Sequence, residues 1–204
     1  MKSLIFGAFV VALTQPLLVD EPDPVPPPSD RMVVDVVTVN GSGCPAGTAA
    51  VAVTPDGSDF SVTFSAYTAW VGVGAKPLET RRNCQLSLVV HVPWDHTYTV
   101  SAAPFRGFAS LAAGASALYR ANYYFQGQAS SQWRSQVVTG PFDDDVDVSG
   151  EGVGIWSPCG VKRNLNINTE IRVYAGTSDT RRTTSFATLN EVQGFTFQVK
   201  PCTS

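Results

Sequence analysis

The chain has 204 residues, 44% of them hydrophobic, with 17 Asp and Glu against 14 Lys and Arg for a formal charge of −3. Asp20, Glu21, Asp23, Asp30 and Lys2 all precede Arg31, which leaves 13 acids against 13 basic side chains in the remainder. That balance lacks the basic footprint demanded by phosphate backbones and by anionic lipid surfaces, so no nucleic-acid partner is expected.

Residues 1–19 read as a secretory signal peptide. Lys2 supplies the positive start, and 4–13 (LIFGAFVVAL) is an uncharged apolar run of h-region length, too short to span a bilayer. No small-x-small pair marks the cleavage bond, which is placed between Ala12 and Asp20. Residues 20–33 form an acidic, proline-rich spacer or pro-segment, with almost no side chain able to build a core. No later apolar run approaches the ~20 residues of a membrane helix, so no membrane insertion of the mature chain is expected. The expected location is extracellular or cell-wall associated.

Residues 34–204 are expected to form a single domain. Apolar and polar residues alternate at 34–39 (VDVVTV), 49–53, 60–67 (FSVTFSAY), 85–92 (QLSLVVHV), 97–103, 171–174, 185–189 and 195–199 (FTFQV). Period-two alternation rich in β-branched and aromatic residues is the pattern of strands with one buried face. Asn40-Gly41, Pro55-Asp56-Gly57, Pro93-Trp94-Asp95, Gly140-Pro141 and Ser157-Pro158 punctuate the runs as turns. Segment 105–124 is alanine-rich and helical by propensity, but Gly107 and Gly114 interrupt it and no cap is evident. It is read as two strands meeting around 112–114. The fold class predicted is all-β: an antiparallel two-sheet, jelly-roll-like β-sandwich.

Cys44, Cys84, Cys159 and Cys202 lie in a chain bound for an oxidising compartment, where thiols pair. Four cysteines allow three pairings. The sequence-local one, Cys44–Cys84 with Cys159–Cys202, is favoured, each bridge closing a loop of about forty residues.

An ordered series of short motifs runs through the chain: NGSGCPAGT at 40–48, RNC at 82–84, RGFA at 106–109, YFQG at 124–127, GP at 140–141, WSPCG at 156–160 and LNINT at 165–169. In that order they resemble a family of secreted proteins known as the domain of unknown function number 4360. The resemblance covers about 35–204. It implies secretion and a β-rich, disulfide-bonded fold, and it carries over no catalytic or binding residue.

Candidate chemistry therefore rests on the residues alone. The two histidines, His91 and His96, flank a turn that could bring the rings together with Asp95 as a third ligand, but ordinary histidines near a turn explain the spacing better. Asp143, Asp145 and Asp147 have the D-x-D-x-D spacing of a Ca²⁺-binding loop. The EF-hand glycine and terminal glutamate are absent, so a self-repelling surface loop is preferred, and no cofactor is called for. No G-x-S-x-G elbow occurs. Asn40-Gly41-Ser42 is an N-x-[ST] sequon, which makes Asn40 a glycosylation candidate and the chain a candidate glycoprotein.

Trp94, in a turn, and Trp133, in a polar stretch, sit where burial is unfavourable. With Asp95 they form the candidate ligand site, since exposed indoles beside polar groups can hold sugar faces. Trp70 and Trp156 are expected in the core. The leading expectation is a non-enzymatic extracellular binding protein whose partner is a polysaccharide or an extracellular protein, with Trp94 and Trp133 on one exposed face. One alternative is a secreted effector or toxin-like protein acting on a host or competitor. Another is a glycan-directed hydrolase with facing carboxylates, or with His96 beside Asp95, in a cleft.

Overall fold

A computed structural model describes residues 32–55, 59–102, 104–148 and 154–203. The expected signal peptide and most of the expected spacer lie outside the described residues. Among the described residues, twelve strands and one 3-10 turn follow in order: β1 (Val33–Asn40), β2 (Ala49–Val53), β3 (Asp59–Phe64), β4 (Thr68–Gly72), the turn (Pro77–Thr80), β5 (Arg81–His91), β6 (His96–Ala102), β7 (Phe105–Leu111), β8 (Ser116–Phe125), β9 (Ser131–Thr139), β10 (Phe142–Val148), β11 (Leu165–Tyr174) and β12 (Thr184–Pro201).

They form two antiparallel sheets. The first has the order β1-β5-β11-β8-β9, and the second the order β10-β7-β12-β3-β2, with β4 and β6 also paired to β12. The all-β, two-sheet expectation is met, and segment 105–124 is the pair β7 and β8 with its break at 112–115. Positions 185–189 and 195–199 do not make two strands. Both lie within β12, whose first half pairs with β4 and β7 and whose second half pairs with β3 and β6. A register shift between Val192 and Phe195 divides the halves, and it blurs the alternation that a single strand would show in sequence.

β8 shows why this chain prefers strand to helix. Ala117, Tyr119, Ala121, Tyr123 and Phe125 are buried, and each even-numbered neighbour from 116 to 124 is half-buried. Its alanines are small where Tyr119 and Tyr123 are large, so small and large side chains alternate along the buried face. From the second sheet, Phe60, Val62, Phe195 and Phe197 complete the core. Ring contacts cross the interface: Tyr123 meets Phe195 at 6.4 Å between centroids, and Phe125 meets Tyr98 at 5.3 Å. The Tyr67 hydroxyl adds a polar tie, lying 2.8 Å from the Thr169 backbone oxygen.

The disulfides pair as favoured, Cys44–Cys84 and Cys159–Cys202. The first is buried beneath the Gly41 corner. Gly41 has φ of +149°, and a Cβ there would stand 2.2 Å from the Asn83 carbonyl oxygen, so only glycine allows the chain to approach β5 so closely. The second is partly exposed and ties segment 157–163 to the end of β12.

β10 is an edge strand made of the sequence FDDDVDV. Asp143, Asp145 and Asp147 lie on this strand, not on a loop, and Arg106 Nε donates to Asp147 Oδ1 at 3.1 Å. Charge along an edge blocks pairing with other chains, which gives the acidic run a structural role.

Candidate functional site

Strand register brings polar side chains from five strands onto the outer face of the first sheet. Trp133 on β9 pairs with Asn122 on β8, which pairs with Asn168 on β11. Asn168 pairs in turn with Gln85 on β5, and Gln85 with Asn40 on β1. Residues directly opposite one another share a face, so the row Trp133–Asn122–Asn168–Gln85–Asn40 crosses the whole sheet, about 19 Å over four strand spacings. The next row, two residues along, is Ser131–Tyr124–Asn166–Ser87–Thr38.

The face is least exposed at its centre. Ser87 and Asn166 are nearly buried, whereas Trp133 at the edge is 54% exposed. Asn164 Nδ2 donates to Ser87 Oγ at 3.0 Å. The Oδ1 atoms of Asn122 and Asn168 are buried and make no hydrogen bond among the described residues.

On the other side of the tryptophan row, Ser135, Arg120, Glu170 and Asn83 line up. Glu170 is only 5% exposed. Arg81 Nη2 pairs with its Oε2, while Arg120 Nη2 and Arg172 Nη2 lie 3.2 and 3.6 Å from Oε1. Three arginines around one carboxylate leave a net positive flank beside the amide row.

Trp94 and Asp95 belong to a different place. Trp94 is 85% exposed in the turn between β5 and β6. β9 and β5 stand three strand spacings apart, about 14 Å, and Trp94 lies beyond the end of β5, so the two tryptophans are not side by side. Trp94 borders a cleft of about 190 Å³ at one end of the sandwich, together with Val90, His91, His96, Tyr98, Lys162 and Arg163. Trp70 and Trp156, expected in the core, are half-buried at its margin, and Lys200 Nζ stands 3.9 Å from the Trp156 ring centroid.

Each histidine is held by its own aspartate. His91 Nε2 lies 2.8 Å from Asp35 Oδ2, and His96 Nδ1 lies 2.7 Å from Asp95 Oδ1. The hydrogen bond from His96 holds the Asp95 carboxyl below its usual range. Ser157 borders the same cleft, but its hydroxyl accepts from the Tyr98 backbone N–H at 3.0 Å and contacts Thr97 Oγ1 at 3.1 Å. Among the described residues no hydrogen bond joins Ser157 to His96.

Among the described residues no group of three or more His, Cys, Asp or Glu is arranged to hold a metal ion. Alternate side chains of a strand stand about 7 Å apart. Asp143, Asp145 and Asp147 are therefore spread too widely for all three to reach one Ca²⁺ at about 2.3–2.6 Å. Asn40 is exposed at the end of β1 and at the rim of the amide row.

Residues 30–202 match the family described as Domain of unknown function (DUF4360). The chain belongs to this family. A relative in Arthroderma benhamiae, described as an uncharacterized secreted protein, is 35% identical over 152 residues, covering 73% of this chain. The match spans 62% of that relative's length. With two disulfides of the kind an oxidising compartment supports, this DUF4360 member is a secreted protein. A solved structure of TmCBM61 in complex with β-1,4-galactotriose aligns with a TM-score of 0.30 and 10% identity, covering 81% of this chain and 88% of that chain. A likeness of that size carries no argument about this DUF4360 chain.

The amide row escapes a reading of the sequence. Its five members are scattered from residue 40 to residue 168, and apart from Asn40, which opens the N-x-[ST] sequon, none of them belongs to a motif of known chemistry. Alternation marks Gln85 as outward-facing, but only strand order puts it in line with Trp133.

Proposed function

We propose that this protein is a secreted glycan-binding module whose site is the outer face of the five-stranded sheet. The register of Trp133 with Asn122, Asn168 and Gln85 carries the reading. A sugar presents two kinds of surface, a ring face of C–H groups and a rim of hydroxyls that both donate and accept. An exposed indole at the edge of a polar row offers a platform for the first. Asn and Gln side chains each carry donors and an acceptor, which suits the second. Asn166, Ser87 and Tyr124 in the neighbouring row continue the polar face alongside. The arginine–Glu170 flank adds fixed donors on one side.

The test is binding of the secreted protein to an array of neutral microbial and plant wall polysaccharides, with Trp133→Ala and Asn122→Ala/Asn168→Ala alongside. Retention of at least one polysaccharide, weakened tenfold or more in both variants, is the expected result. No retention of any glycan overturns the reading and directs the search to protein receptors. Retention unaffected by both variants moves the site elsewhere.

A further inference from the structure

We propose that the cleft at the end of the sandwich is a second binding site, selective for a sugar ring that carries a carboxylate. The site stands on its own geometry and does not depend on the reading of the open sheet face.

The cleft is built where the sheets part. Val90 comes from β5 of the first sheet and Tyr98 from β6 of the second, and segment 157–163 forms the far wall. Cys159–Cys202 anchors that wall to the end of β12, and the Cys202 backbone N–H donates to the Asp95 carbonyl at 2.7 Å. One bridge therefore holds both sides of the opening.

Charge gives the cleft its sign. His91 and His96 are each hydrogen-bonded to an aspartate, Asp35 and Asp95, and neither carboxylate is among the residues that line the cleft. Lys162 and Arg163 are exposed at the rim and make no ion pair with any described residue. Two unmatched cations at one mouth favour an anion, and a guanidinium with its fork of donors fits a carboxylate in particular.

The remaining surface favours a sugar over a bare ion. The Trp94 indole, 85% exposed, offers a flat apolar face at the entrance. Val92, Pro93, Pro158 and Val161 extend the apolar lining. Tyr98 is 2% exposed, and its hydroxyl has no hydrogen-bond partner among the described residues. The volume, about 190 Å³, is below the ~300–1,000 Å³ of pockets that enclose drug-sized ligands, so it fits one ring with its carboxylate and not a length of chain.

The experiment is calorimetric titration of the whole secreted protein with the methyl glycosides of galacturonate, glucuronate and mannuronate, each beside its methyl ester. The ester keeps the ring and removes the charge. At least one acid form is expected to bind, at least tenfold more tightly than its ester and more weakly as salt is raised. Lys162→Gln/Arg163→Gln and Trp94→Ala should each weaken that binding tenfold or more, and Trp133→Ala should leave it within twofold. All three substituted sites are exposed, so the fold is expected to survive, and an unchanged melting temperature verifies it. Failure of every acid to bind overturns the proposal. So does equal affinity for acid and ester, or undiminished binding in the Lys162/Arg163 variant.

Discussion

The Arg120 guanidinium lies 5.1 Å from the centroid of the Trp133 indole, and the same group reaches to within 3.2 Å of Glu170 Oε1. One arginine thereby links the exposed edge tryptophan to the most buried carboxylate of the open face. The indole gains a fixed neighbour on one side, which limits its rotamers before any ligand arrives.

Replacing Arg120 with methionine should free the ring while keeping most of the aliphatic bulk. Glycan affinity is expected to fall about three- to tenfold, less than in Trp133→Ala, because the platform remains and only its preorganisation is lost. Titration of both variants with the polysaccharide retained in the array checks the order. Trp133→Ala itself, at an exposed site, should leave stability within about 0.5 kcal/mol.

Glu170→Gln removes the charge that three arginines share. Breaking a buried pair costs about 3–5 kcal/mol, and the partial exposure of Arg81, Arg120 and Arg172 lowers that to about 1–3 kcal/mol here. Thermal unfolding should show a melting temperature several degrees lower, recovered in part by added salt, which screens the leftover repulsion.

The two disulfides should differ in reactivity. Cys44 and Cys84 are buried, whereas Cys159 is exposed and Cys202 half-buried. Mild reductant is expected to open Cys159–Cys202 first, with alkylation and peptide mapping as the readout. Opening it should abolish ligand binding at the cleft and spare the open face. Each loop is about forty residues long, so losing either bridge costs up to about 4 kcal/mol in the chain-entropy picture.

Alkaline pH should reveal the buried phenols as a group. Burial pushes Tyr67, Tyr98, Tyr119 and Tyr123 well above the ordinary tyrosine range. A group whose pKa is raised by folding contributes its full stability below the unfolded value. That stability falls as pH rises from about 10 towards the folded value, because the unfolded chain loses its protons first. Phenolate absorbance from these four is expected to rise together with the loss of near-ultraviolet circular dichroism. A rise while the fold is intact would contradict their burial.

Added Ca²⁺ or a chelator should leave the melting temperature unchanged, since Asp143, Asp145 and Asp147 point along an edge strand and do not converge. A calcium-dependent rise of several degrees would show that the acidic strand binds the ion after all.

The alternation in 49–53 and 85–92, the break in 105–124 and the local cysteine pairing were all legible in the residues, since each depends on spacing within a short stretch. β9 and β10 were harder. β9 shows polar outer positions from Ser131 to Ser135, with little apolar contrast, because it is an edge strand half-covered by the core. β10 hides behind its aspartates for the same reason, as an edge needs charge more than it needs hydrophobic alternation. β12 was divided in the reading because its two halves pair with different strands.

Secretion, a β-rich core and exposed indoles at Trp94 and Trp133 followed from the chain itself, because export signals, period-two patterning and polar surroundings are local properties of a sequence. Which side chains meet did not. The amide row needs the order β1-β5-β11-β8-β9, and the cleft needs the two sheets to part between Val90 and Tyr98 while a disulfide draws segment 157–163 across. Those are contacts between residues as much as a hundred positions apart, set by how the sheets pair and pack, and only the tertiary structure decides them.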